Sequence, residues 1–272
     1  MTVVIVIASA DGLVLAGDSR TSTQIAPDAP VRVLSDFTHK VFQVGSRGVA
    51  TYGWAFLDGG NIAGHMASFE AETALETDQT TRDLADRVAS HFGDMFDRHI
   101  AAGMDTAPPY DPLGFLVAGY SESVGEVFEV TLPSRTVKMQ FDTNAPGAAW
   151  RGQTDVIQRL IKGLDYEHLL PLLDQRGKMA EFEAIKAELD EIEYVVPFGQ
   201  MNLQDAVDYG VFAIRTTIDT QRLTHGTMGN PGSWPGVGGP IEILTITPTG
   251  GGRWIQRTGL QGERKAGEAE GS

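Results

Sequence analysis

The chain has 272 residues, 42% of them hydrophobic, with no cysteine and a formal net charge of −15. That length and apolar content can supply a large core, while the acidic balance argues against binding nucleic acid, whose phosphates need a basic footprint. Without cysteine there are no disulfides or thiolate metal sites, no run approaches the roughly 18 apolar residues of a membrane span, and no basic segment precedes the first apolar run. A cytoplasmic protein with no membrane association is expected.

In chain order, the apolar runs Val3–Ala8 and Gly12–Ala16 flank Ser9-Ala10-Asp11, the pattern of two antiparallel strands joined by a tight turn. Such a strand ties the N-terminus into a sheet. It also gives Thr2 a meaning: with Met1 removed, Thr2 carries a hydroxyl nucleophile beside a free α-amine whose ordinary pKa near 8 suits proton transfer. Asp18 ends the second strand and Lys40 begins the run Val41–Val44. In adjacent antiparallel strands these ends can meet Thr2, where an ammonium would favour the alkoxide and a carboxylate would hold that ammonium in place. Thr21–Asp36, with Pro27 and Pro30, reads as an irregular loop. Val49–Tyr52 reads as a strand, and Gly53 follows where backbone turns sharply or approaches a ligand.

Asp58–Glu72 has helical spacing in Ile62, Met66 and Phe69, and Thr80 with Asp83 forms an N-cap pair for a longer helix bearing Leu84, Val88, Phe92, Met95, Phe96 and Ile100. His65, His91 and His99 fall in these helices without a metal-ligand spacing, so no metal is expected. Leu113–Tyr120 and Gly125–Leu132 read as a hairpin, extended by Val137–Phe141. Thr154–Leu164, Tyr166–Asp174 and Met179–Glu193 read as helices, and Asn202 caps another carrying Leu203, Ala206, Val207, Val211, Ile214 and Ile218. On it Arg215 and Asp219 stand at ion-pair spacing. Arg222–Val237 is a long Gly/Pro-rich loop, Ile241–Thr247 a final buried strand and Gly259–Ser272 a disordered tail.

The order Thr2-Val3-Val4, Asp11-Gly12-Leu13-Val14-Leu15-Ala16-Gly17-Asp18-Ser19-Arg20, Lys40-Val41-Phe42-Gln43-Val44 and Thr51-Tyr52-Gly53 resembles the proteasome-type N-terminal-nucleophile (Ntn) hydrolases, and more narrowly a bacterial or archaeal proteasome β-subunit-like protein. Gly114–Gly119 with Gly125–Leu132, Met201–Ala206 and Gly238–Ile243 extend the likeness. It implies an α+β fold, a four-layer αββα sandwich of two antiparallel sheets flanked by helices. This would be one domain over 1–258 with insertions at about 165–198 and 222–237. The resemblance makes Thr2 the nucleophile, Asp18 and Lys40 its charge partners, and Gly53 the oxyanion donor. Thr21, Ser22, Thr51 and Ala55 would bind substrate, and Asp219 would face the Thr2 amine. No cofactor is implied. The substrate would be a peptide or other amide, and the assembly a homo-oligomer, as a ring or an open form. The sequence departs from the family where a serine usually follows the glycine of Gly152-Gln153, and where an acid and a serine usually stand near Asp219 or Gln221 and Val237. A non-catalytic structural subunit and a small-molecule amidase therefore stay open beside a threonine peptidase.

Overall fold

The computed structural model describes residues 2–23, 31–73, 79–228, 230–231 and 235–259. Met1, Trp234 and nearly all of the expected tail lie outside them. In chain order the elements begin with β1 (Val3–Ala8), β2 (Leu13–Gly17), β3 (Thr21–Thr23), β4 (Arg32–Ser35), β5 (Val41–Val44), β6 (Arg47–Gly53), β7 (Phe56–Leu57), β8 (Gly60–Asn61), α1 (Ile62–Glu72) and α2 (Thr81–Ala101). They continue with β9 (Leu113–Ser121), β10 (Val124–Leu132), β11 (Thr136–Asp142), β12 (Ala148–Gly152), α3 (Asp155–Ile161), α4 (Tyr166–Gln175), α5 (Met179–Asp190), α6 (Leu203–Leu223), β13 (Gly226–Thr227), β14 (Asn230–Pro231), β15 (Glu242–Thr247) and β16 (Gly251–Gln256).

The fold is mixed α/β. Ten strands form two five-stranded antiparallel sheets, ordered β12-β1-β2-β15-β16 and β11-β10-β9-β6-β5. Every residue of β1 is buried, because it is an inner strand packed on both faces, so it reads as an unbroken apolar run rather than an alternating one. Val4, Val6 and Ala8 point to one side and join Leu13, Leu15 and Leu244 against Val41, Ala50, Leu116, Ala118 and Val127 of the other sheet. Val3, Ile5 and Ile7 point the opposite way, onto Ile157 and Ile161 of α3 and Ala206, Val207, Ala213 and Ile214 of α6. A third core sets Phe115, Val117, Phe128 and Val130 against Met66, Leu84, Val88, Phe92 and Phe96 of α1 and α2. Each fully buried aliphatic or aromatic side chain contributes about 1.5–3 kcal/mol.

The two long helices start at capping boxes, Thr80 with Asp83 and Asn202 with Asp205, each satisfying two otherwise orphaned N–H groups. Several sequence expectations change. Helix α1 begins at Ile62 rather than Asp58, because Asp58 has φ +47° in a tight turn. The loop over 21–36 contains the pair β3–β4, and Ile241–Thr247 is followed by a further strand, β16. Strand β12, which reads as neither strand nor helix in the sequence, closes the edge beside β1. The Gly/Pro-rich loop after α6 includes the short pair β13–β14.

Candidate active site

The N-terminal end of β1 meets the C-terminal end of β2 because the hairpin register sets Val4 opposite Gly17. Asp18, one residue further, lies beside the start of the chain and accepts the Val3 N–H at Oδ1, 2.9 Å. Its Oδ2 accepts the N–H groups of Arg20 at 3.1 Å and Gly238 at 3.0 Å. Lys40 arrives from the other sheet, immediately before β5, and its Nζ donates to Asp18 Oδ1 at 2.7 Å. The carboxylate is fully buried and Lys40 is 4% exposed, so this pair ties the two sheets together at the end where Thr2 lies. Burial pushes the Lys40 ammonium below its ordinary value, and the Asp18 charge and hydrogen bond oppose that push.

Thr2, Lys40 and Gly53 line one cleft of about 410 Å³ together with Thr21, Ser22, Thr51 and Ala55. Asp18 stands behind Lys40, outside that lining. Gly53 has φ +92°, and a Cβ there would lie 2.0 Å from the Pro112 carbonyl oxygen. Its glycine identity thus follows from backbone crowding as well as from any oxyanion role. Gly152 is under a similar constraint: φ is +91°, a Cβ would lie 1.9 Å from the Thr2 carbonyl oxygen, and the same oxygen accepts the Gln153 N–H at 2.7 Å.

Asp219 does not join this group. Its carboxylate pairs with Arg222 at 3.3 Å on the half-exposed side of α6, in place of the expected pairing with Arg215, and it is absent from the cleft wall. The inward stripe of α6 runs through Ile214, Thr217 and then Gln221, at spacings of three and four, so residue 219 lies off it. Gln221 Nε2 donates to Gln153 Oε1 at 2.9 Å, and its own Oε1 accepts the Val237 N–H at 3.0 Å. The three positions where the sequence departs from the resembled family therefore form one hydrogen-bonded chain beside the Thr2 backbone.

Three further groups lie outside the site residues expected from the sequence. His39, in the cleft wall, places Nδ1 2.5 Å from Oε1 of the fully buried Glu242, which also accepts the Lys40 N–H at 3.3 Å. Tyr52 donates its hydroxyl to Glu129, which is bound in turn by Arg151 of β12 through two hydrogen bonds. That network crosses between the sheets, and burial, with the Glu129 contact, pushes the Tyr52 hydroxyl well above its ordinary value. His99, the third, also lines the cleft. None of these has a linear motif; each is joined by contacts between elements distant in sequence. Among the described residues no cluster of three or more His, Asp or Glu side chains is arranged to hold a metal ion, and no helix is long and apolar enough to cross a membrane.

Solved structures share the fold. The Anbu complex from Pseudomonas aeruginosa, solved as a helical assembly, matches with a TM-score of 0.55 over 93% of this chain and 86% of that one, at 15% identity. An Anbu mutant from Hyphomicrobium sp. strain MC1 matches with a TM-score of 0.53 over 94% of this chain and 87% of that one, also at 15% identity. The chain has an Anbu-like fold. The narrower sequence assignment, to a bacterial or archaeal proteasome β-subunit-like protein, is thereby corrected: these two structures are of Anbu, and at this identity the likeness concerns fold alone. No family model matches the sequence, and no curated protein matches it.

Proposed function

We propose that the protein is a threonine-type amide hydrolase that uses Thr2 as nucleophile once Met1 is removed. The observation that carries this reading is the buried Lys40–Asp18 pair, 2.7 Å long, whose lysine lines the cleft that Thr2 shares with Gly53. With Met1 in place the Thr2 nitrogen is an amide and has no basicity. As a free amine it takes the Oγ proton while Oγ attacks the substrate carbonyl carbon. The oxyanion that forms is stabilised by the Gly53 N–H, and Lys40 supplies positive charge that Asp18 holds in place. Collapse breaks the C–N bond, and the α-ammonium returns its proton to the leaving amine. Water, deprotonated by the same amine, then attacks the threonine ester, releasing the acid and restoring Oγ–H. Thr21, Ser22, Thr51 and Ala55 are assigned to substrate contact, with β3, which pairs only with β4 among the described residues, offering its other edge to an extended peptide.

In this reading the three apolar cores are the interfaces of an αββα sandwich. Residues 1–258 make one domain, with 165–198 and 222–237 as insertions. An oligomer of like chains is proposed from the helical assembly of the Anbu complex. Asp219 is dropped from the site, and Gln221, which holds Gln153 beside Thr2, takes its place as a positioning residue. The test is turnover of a panel of peptide amides bearing a fluorogenic leaving amine, by the wild type, Thr2→Ser and Thr2→Ala. Hydrolysis retained in Thr2→Ser and abolished in Thr2→Ala is expected; equal turnover by Thr2→Ala and wild type would overturn the reading. If no amide is turned over, the rival reading, a non-catalytic subunit on the same fold, takes its place.

A further inference from the structure

The cleft wall carries polar groups that the reaction does not use. His99, on the last turn of α2, is 9% exposed and forms part of the cleft wall. The Asp58 N–H donates to its Nδ1 at 3.0 Å, so Nδ1 is the acceptor and the ring proton sits on Nε2. Two features fix that arrangement. Asp58 adopts φ +47°, and Arg98 Nε holds its side chain at 2.9 Å. Trp54 packs against the His99 ring at 5.7 Å between centroids and stacks on Phe96. Nε2 has no hydrogen-bond partner among the described residues. A nine-tenths-buried ring is thus held in one tautomer with its donor unused.

The backbone just beyond the helix brings an acceptor into the same cleft. The Met104 N–H returns to the His99 carbonyl at 3.2 Å, which sets Met104 and Asp105 in the cleft wall. Asp105 Oδ1 is engaged by the Thr106 N–H at 2.8 Å, which leaves Oδ2 for a ligand. Trp54, Ile62, Ala63 and Met104 supply apolar walls. A fixed N–H donor and a carboxylate acceptor, with these apolar side chains in the same cleft, match a group that both accepts and donates.

We propose that His99 and Asp105 are specificity-determining residues and that the cleft accepts a carboxamide side chain, glutamine or asparagine, its C=O taking the His99 Nε2–H and its NH₂ donating to Asp105. This rests on the cleft being a substrate site, as in the proposed function. A glutamate in the same place meets the like charge of Asp105, and a methionine of similar length leaves a buried donor unpaired, each lowering affinity on the order of tenfold or more.

The test separates binding from chemistry by using Thr2→Ala protein. Calorimetric affinities are measured for acetyl-alanyl-glutamine amide and its glutamate and methionine counterparts. Glutamine should bind about tenfold or more tighter than either. Adding His99→Leu should bring the methionine peptide level with glutamine, and adding Asp105→Ala, an exposed substitution that leaves the core intact, should relax the rejection of glutamate. Equal affinities for the three peptides, no binding by any of them, or a glutamine preference untouched by both substitutions would overturn the proposal. The expected binding pattern with no turnover by the wild type would sink the hydrolase reading and leave the carboxamide pocket standing. Turnover without glutamine preference would do the reverse.

Discussion

Asp18 and Lys40 form one ion pair, yet the structure predicts that losing one is far worse than losing the other. In Lys40→Met the Asp18 carboxylate keeps three backbone donors, Val3, Arg20 and Gly238, at 2.9–3.1 Å. What is lost is one charge-assisted hydrogen bond, and methionine refills much of the lysine stem's volume, so the cost is about 1–3 kcal/mol. In Asp18→Asn the ammonium stays buried without a counter-charge, and the amide NH₂ faces at least one N–H it cannot accept. Breaking a buried pair in this sense costs about 3–5 kcal/mol. With a urea slope of about 3 kcal/mol/M, the Asp18→Asn midpoint should fall by about 1–2 M and the Lys40→Met midpoint by clearly less. The pH dependence has a definite sign. Burial depresses the folded-state pKa of Lys40 below the ordinary value of 10.5, so the folded state binds fewer protons than the unfolded one just below that pH. Stability there rises with pH, and what is present above 10.5 is lost as pH falls through the folded value. Removing the Asp18 charge lowers that value further and widens the window, so the Asp18→Asn deficit should narrow on going alkaline. Urea unfolding of both variants from neutral pH to pH 10 reads this out. A Lys40→Met loss equal to or greater than that of Asp18→Asn would refute the reasoning.

Three other outcomes are expected. Gly152→Ala, which forces a Cβ onto the Thr2 carbonyl at positive φ, should cost more than about 1 kcal/mol by urea unfolding, and displacement of Thr2 should slow its reaction with an electrophile on the order of a hundredfold. Burial by itself would raise Glu129, but its contacts with Arg151 and Tyr52 outweigh burial and leave its pKa below the ordinary carboxyl value. That contribution is present above the unfolded pKa of about 4.3 and is lost as pH falls through the folded one; in Arg151→Met burial is no longer outweighed, and acid unfolding should begin at higher pH, by on the order of one unit. Asp219→Ala, on an exposed pair, should leave stability within about 0.5 kcal/mol, whereas Gln221→Leu, which orphans the Val237 N–H, should cost about 1–3 kcal/mol in the same assay.

What the sequence could reveal follows from which constraints are local. The β1–β2 hairpin is readable because Ser9 and Gly12 make a tight turn between two fully buried runs, and helices α2 and α6 because their capping boxes span only four residues. Strand β12, by contrast, is Ala-Ala-Trp-Arg-Gly with no alternation, and β16 opens with two glycines; both are strands because a neighbouring strand offers its hydrogen bonds. The same division holds at the cleft. Thr2, Asp18 and Lys40 stand at strand ends whose register is visible. Asp219 stands where the resembled pattern has an acid, but the buried stripe of Ile214 and Thr217 continues to Gln221. His99 could have been suspected from its place on the inward stripe of α2 with Phe92 and Met95, but its tautomer depends on the Asp58 turn, some forty residues away, which no local pattern encodes.

The central claim is that Thr2 is a free, activated N-terminal nucleophile. Intact mass spectrometry of the purified protein, before and after treatment with an electrophile selective for N-terminal threonine, tests it directly. The account predicts a mass lacking Met1 and a single adduct that is absent in Thr2→Ala and greatly slowed in Lys40→Met. A retained Met1, or a free Thr2 that never forms the adduct, would contradict it.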